Sequence, residues 1–99
     1  MKKRTKVTET VIGTKTIEKD GYVYNYTLVK RESRRVVSFR IPLYSIKIEL
    51  TDPNGKKTEA ESHDIFSDLG KAIVFYDRLV RNLATPIDLA YVIEDEIFS

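Results

Sequence analysis

The residues able to do chemistry are few and scattered. A single histidine, His63, precedes Asp64, a base and carboxylate that a hydrolytic site would need in contact. Neighbouring strand residues project to opposite faces, so the two cannot face one another there, and His63 reads as a structural or surface residue. With no cysteine and no second histidine, the chain offers no typical site for zinc or another transition metal. Glu94-Asp95-Glu96 could attract a divalent cation, but consecutive helical carboxylates diverge by about 100° each and suit a solvated helix end. Gly13, Gly21, Gly55 and Gly70 make no phosphate-cradling motif. No catalytic, metal or cofactor residue is assigned, and the chain reads as non-enzymatic.

Two other groups could hold a partner. Lys30, Arg31, Arg34, Arg35 and Arg40 accompany Tyr22, Tyr24 and Tyr26. Aromatics on a sheet stack with unpaired bases while arginines hold phosphates, so this group suits a nucleic-acid-binding accessory protein. Three alternating tyrosines equally suit a half-buried sheet face covered by a helix. The second group is Phe75, Tyr91 and Phe98, which lie off the main apolar stripes of two expected helices. Adjoining one another, they would supply the aromatic anchors typical of protein interfaces, toward another protein or a second copy. The primary expectation is a protein-interaction or regulatory module, with nucleic-acid binding as the alternative.

The charge pattern bears on both. Residues 1–50 hold 12 Lys and Arg against 5 Asp and Glu, giving +7, whereas residues 51–99 hold 5 against 10, giving −5. Such a separation can steer an anionic partner or let two copies meet head to tail; equally, the two halves can neutralise one another across the fold.

These residues must be positioned by strands first and helices later. Residues 7–18 are rich in Thr, Val and Ile and read as a strand bent at Gly13. Asp20-Gly21 suits the positive φ angles of a tight hairpin leading into a strand over 22–30. There Tyr22, Tyr24, Tyr26 and Leu28 share one face. Over 36–51 the apolar parity changes, from Val37, Phe39, Ile41 and Leu43 to Tyr44, Ile46, Ile48 and Leu50. A bulge near Pro42 would absorb the change; otherwise the strand would pass into a partner's sheet. Asp52-Pro53-Asn54-Gly55 predicts a turn, and the polar residues 56–62 an edge strand.

The C-terminal residues 67–98 predict two helices. Leu69, Ala72, Ile73, Tyr76, Leu79, Val80 and Leu83 fall three, four and seven apart, one stripe of a helix capped by Ser67. Gly70, inside that helix, suggests close backbone packing. Thr85-Pro86-Ile87-Asp88 then ends it and starts a second: Thr85 caps, Pro86 fits the first helical position, and Asp88 takes the carboxylate position of a capping box. Leu89, Val92, Ile93 and Ile97 define its buried arc, with Ile87, Tyr91 and Phe98 on another side. The expected fold is α+β, an antiparallel sheet of four or five strands followed by two C-terminal helices packed on one face.

The run Asp64-Ile65, Ser67-Asp68, Asn82, Thr85-Pro86-Ile87, Leu89 and Val92-Ile93-Glu94-Asp95 resembles the C-terminal signature of a family of small uncharacterised proteins from spore-forming bacteria. The resemblance covers the last third of the chain. It implies a soluble bacterial α+β module and no mechanism. Members often carry a His where this chain has Asp88, so no role of that His carries over.

Length and composition bound the rest. Ninety-nine residues make a single domain with room for one core, in which 1–5 are expected to be disordered, 6–66 strand-rich and 67–98 helical. A hydrophobic content of 41% beside 32% charged residues is that of an ordinary globular protein. No apolar run approaches the roughly 20 residues that span a bilayer. The basic start, residues 1–6, is followed by a segment too polar for a signal peptide, so no export is expected. With cysteine absent, a cytoplasmic home is the expectation.

Overall fold

The computed structural model describes residues 7–33 and 42–98, with side chains for 9–32, 42–63 and 65–94. The expectations for residues 1–5, Arg34, Arg35 and Arg40, the run Val37, Phe39 and Ile41 with its parity change before Pro42, and the side chain of Phe98 fall outside the described residues.

Four antiparallel strands, β1 (Val7–Lys19), β2 (Tyr22–Ser33), β3 (Leu43–Thr51) and β4 (Lys57–Phe66), form a sheet in chain order. Two helices follow, α1 (Leu69–Arg81) and α2 (Pro86–Phe98). Asp20 and Gly21 turn β1 into β2 with φ of 53° and 83°, the left-handed pair that matches strand twist in a two-residue hairpin. The β1–β2 register shifts between Val11 and Gly13, placing a bulge where the bend was expected. At the β3–β4 turn, Asp52 Oδ1 accepts from the Asn54 and Lys56 amides at 2.9 and 2.8 Å, and Gly55 takes φ 89°.

The pairing Tyr24↔Leu50, Tyr26↔Ile48 and Leu28↔Ile46 places large side chains of β2 and β3 on one face. The helices cover it: Tyr26, Leu28, Tyr44, Ile46 and Ile48 form one buried cluster with Ala72, Phe75, Tyr76, Leu79, Val80, Ala84 and Leu89. Each fully buried Leu or Ile there contributes roughly 1.5–3 kcal/mol of transfer free energy. The opposite face carries charge ladders. Lys47 lies between Glu49 and Glu59 at 3.7 and 3.1 Å.

Four details of α1 differ from its sequence expectation. The N-cap is Asp68 rather than Ser67, with the Asp68 carboxylate accepting from the Gly70 amide at 3.2 Å. The buried stripe is Ala72, Phe75, Tyr76, Leu79 and Val80, so its centre is turned by about 30° from that of the expected stripe, toward Phe75 and away from Leu69 and Ile73. Leu69 and Ile73 are exposed, while Phe75 packs on Phe66 of β4. Leu83 lies beyond the helix: it adopts φ 50° and donates to Val80 O, while Ala84 N donates to Leu79 O, a Schellman ending with leucine in place of glycine. Nor does close packing explain Gly70, since an added Cβ would meet only the Asp68 carboxylate, its oxygens at 3.7 and 4.0 Å.

Candidate protein-binding groove between β4 and α2

Helix α2 begins as its sequence dictates. Thr85 N donates to Asp88 Oδ2 at 3.0 Å and Asp88 N donates to Thr85 Oγ1 at 3.3 Å, the reciprocal bonds of a capping box. Pro86 and Leu89 point into the protein, with Val92 and Ile93 half-buried. That rotation turns Ile87 and Tyr91 outward, 74% and 68% exposed, one helical turn apart on the same side.

Across from α2, β4 presents small side chains on its helix-facing side. Leu50, Ile48 and Ile46 of β3 pair with Thr58, Ala60 and Ser62 of β4. The bulk thus drops sharply at the sheet's edge and leaves a groove of about 620 Å³ between strand and helix. Ala60, Ser62, Leu89 and Ile93 line it, and Tyr91 stands at its border. Ser62 Oγ is buried there with no hydrogen-bond partner among the described residues. As the last strand in the order, β4 pairs only with β3, so its outer edge is open among the described residues.

The groove's charged residues are both acidic. Glu61 and Glu94 border it. Glu61 lies opposite Lys47 in the β3–β4 register and 3.9 Å from His63 Nε2, whereas Glu94 has no ion pair among the described residues. Glu59, on the same strand, holds Lys47 more closely, at 3.1 Å; the ammonium pKa is raised by that hydrogen bond and by the charges of Glu49, Glu59 and, more weakly, Glu61.

The three aromatic residues expected to form one anchor are not brought together. Tyr91 is on the surface, whereas Phe75 is 1% exposed, packed against Phe66 at a centroid distance of 5.3 Å, with the Arg78 guanidinium 5.6 Å from its ring. Phe75 is therefore a core residue, corrected from its assignment as a partner contact, and Ile87 is the apolar neighbour of Tyr91. The side chain of Phe98 lies outside the described residues.

The basic group is also divided. Lys30 and Arg31 are successive strand residues on opposite faces. Lys30 lies 3.6 Å from Glu32, and Arg31 lies 3.5 Å from Glu9 while Arg31 Nη1 donates to His63 Nδ1 at 3.2 Å. Tyr26 is fully buried under the helices; its ring stacks on half-buried Tyr24 at 6.3 Å, and only Tyr22, by the hairpin, reaches well into solvent. Burial above all, then the nearby Tyr24 and Asp88, pushes the Tyr26 hydroxyl pKa up to about 12. Among the described residues no group of three or more His, Asp or Glu converges as a metal site, and no helix is long and apolar enough to cross a membrane.

These features define a two-layer α+β domain, a meander sheet under two helices, with an open groove at one edge. The chain belongs to a family of unknown function (DUF6514), whose model matches residues 6–98. The family likeness therefore runs through the strands as well as the C-terminal third. No curated protein and no solved structure matches the chain.

Sequence reasoning placed Tyr91 and Ile87 off the buried arc of α2 but missed the β4 half of the groove. Its signal was the alternation Thr58, Ala60, Ser62 opposite Leu50, Ile48, Ile46, which becomes visible only once the register is known.

Proposed function

We propose that this chain is a non-enzymatic protein-interaction module of the bacterial cytoplasm, and that its partner, another protein or a second copy, docks on the β4–α2 side. The observation that carries this reading is exposed Tyr91 at the groove lined by Ala60, Ser62, Leu89 and Ile93, with exposed Ile87 one helical turn before it. Apolar side chains outside a core, next to a concave apolar surface, are what a protein partner buries. The nucleic-acid alternative draws less support: the tyrosine platform is roofed by helices, and Lys30 and Arg31 sit beside carboxylates. The bacterial setting rests on the resemblance in the C-terminal signature, and the cytoplasmic one on the absence of cysteine.

Site-specific photocrosslinking tests the proposal. A benzophenone amino acid in place of Tyr91 is expected to yield one discrete protein adduct in cells expressing the chain at native level. The same group in place of Thr16, exposed on β1 across the sheet, serves as control. Equal and diffuse labelling at both positions would overturn the reading.

A further inference from the structure

The groove has a shape that selects one kind of occupant. Resting on the reading of this side as a docking surface, we infer that it takes an extended segment of a partner protein as an added strand on β4, alternating apolar residues with Lys or Arg. Three observations converge on this. The outer edge of β4 is open among the described residues, so its backbone groups are available to a further strand. Beside that edge, the small side chains of Ala60 and Ser62 leave a groove with room for side chains descending from a neighbouring backbone. A helix would bring about 10 Å of its own width to this space, whereas an added strand sits about 4.8 Å from β4 and sends every second side chain toward α2.

Charge decides the remaining positions. Residues of the added strand that do not face α2 lie on the other face of the sheet, beside Glu59 and Glu61, and those at the mouth of the groove meet Glu94. Glu94 has no ion pair among the described residues, and Glu61 shares its cross-strand partner Lys47 with Glu49 and Glu59, so carboxylates outnumber ammonium groups along this edge. Lys57, at the turn end of β4, is held by Glu49 at 3.8 Å and disfavours a basic residue there. The pattern is thus apolar toward the helix and basic toward Glu61, which an acidic or all-polar segment does not satisfy.

The test is a titration of the isotope-labelled full chain with an eight-residue synthetic peptide alternating Val with Lys and Arg. A second peptide carries Glu at the basic positions, and a third has N-methylated amides on the edge that would pair with β4. Amide shifts and exchange protection are expected along residues 57–62, with shifts over 89–94, for the first peptide. The second and third should bind at least tenfold more weakly. Glu61→Lys together with Glu94→Lys, both at exposed positions, should weaken the first peptide at least tenfold with the spectrum of the folded chain retained. Shifts centred on β1, equal binding of the acidic peptide, or indifference to N-methylation would each overturn strand addition. So would no binding at all. A discrete Tyr91 adduct obtained alongside any of these results leaves the docking surface standing and refutes only the extended basic occupant. Growth of the protein's own mass with concentration, abolished by the double Lys variant, would replace the peptide with a second copy.

Discussion

The phenolic hydroxyl of Tyr26 donates to the carbonyl oxygen of Ala84 at 2.9 Å and fastens the middle of β2 to the corner between the helices. Ala84 closes the Schellman ending of α1 and directly precedes the Thr85 cap, so this bond sets where α2 begins. The hydroxyl of Tyr76, on α1, donates in turn to the Tyr26 carbonyl at 2.9 Å. Each tyrosine thus satisfies a backbone oxygen of the opposite layer.

Tyr26→Phe keeps the ring and leaves the Ala84 carbonyl without that donor. A buried acceptor left unpaired costs about 1–3 kcal/mol. Urea unfolding should show a loss in this range with an unchanged m-value. A loss below about 0.5 kcal/mol would mean that water reaches Ala84 and that this bond does not fix the corner.

Alkaline pH acts on the same bond. The Tyr26 hydroxyl has its pKa raised to about 12 by burial, against an ordinary value of 10.0, and Tyr76 is raised by burial as well. Raised folded-state values mean that the unfolded chain loses these protons first. The associated stability is complete below pH 10 and is lost as pH climbs toward 12, by an amount on the order of 2 kcal/mol for Tyr26. Stability measured by denaturant at successive pH values should be flat from neutrality to about 9 as far as these groups are concerned, then fall. Tyr26→Phe should flatten that fall, and tyrosinate absorbance should show ionisation of Tyr26 coinciding with unfolding.

What was legible in the sequence follows from how local each signal is. Asp20-Gly21, Asp52-Pro53-Asn54-Gly55 and the Thr85–Asp88 capping box are recognised within four residues, and all three form as read. The rotation of α1 was not legible, because Phe75 earns its place in the core from Phe66 on β4, a contact absent from the helix's own periodicity. The end of α1 was hidden because Leu83, an unusual occupant, takes the left-handed position where glycine is the usual marker. The groove depends on strand register, which a polar strand specifies weakly.

The glycines separate into strained and unstrained positions. Gly70 is exposed in the first turn of α1 with room for a Cβ, so Gly70→Ala should stabilise by about 0.5 kcal/mol through the unfolded chain. Gly21 has φ +83° and an added Cβ would lie 3.1 Å from Pro53 Cγ, so Gly21→Ala should cost about 1–2 kcal/mol. Melting temperatures of the two variants should move in opposite directions, and a shift of the same sign in both would contradict these assignments.

Ser62 tests whether the groove floor is a place of uncompensated polarity. Its Oγ is buried without a partner, so Ser62→Ala removes an unsatisfied group and little volume. Stability should rise or stay level, by up to about 1 kcal/mol. A loss greater than about 1 kcal/mol would reveal a hydrogen bond made through ordered water.

Phe75 and Tyr91 divide the aromatic residues between core and surface. Phe75 is 1% exposed between Phe66 and the Arg78 guanidinium, so Phe75→Ala should cost about 3–5 kcal/mol from lost transfer energy and the cavity left behind. Tyr91 is 68% exposed and its replacement by Ser should change the stability of the isolated chain by no more than about 0.5 kcal/mol. The same holds for Ile87→Ser. Combining Tyr91→Ser with Ile87→Ser should therefore leave a folded chain of wild-type stability that has lost its partner, whether the readout is sedimentation mass for a second copy or recovery of the crosslinked protein through another residue of α2. A loss of several kcal/mol in the double variant of a chain monomeric throughout would instead place Ile87 and Tyr91 in the core, and the groove would then lack the exposed apolar wall on which its role as a docking surface depends.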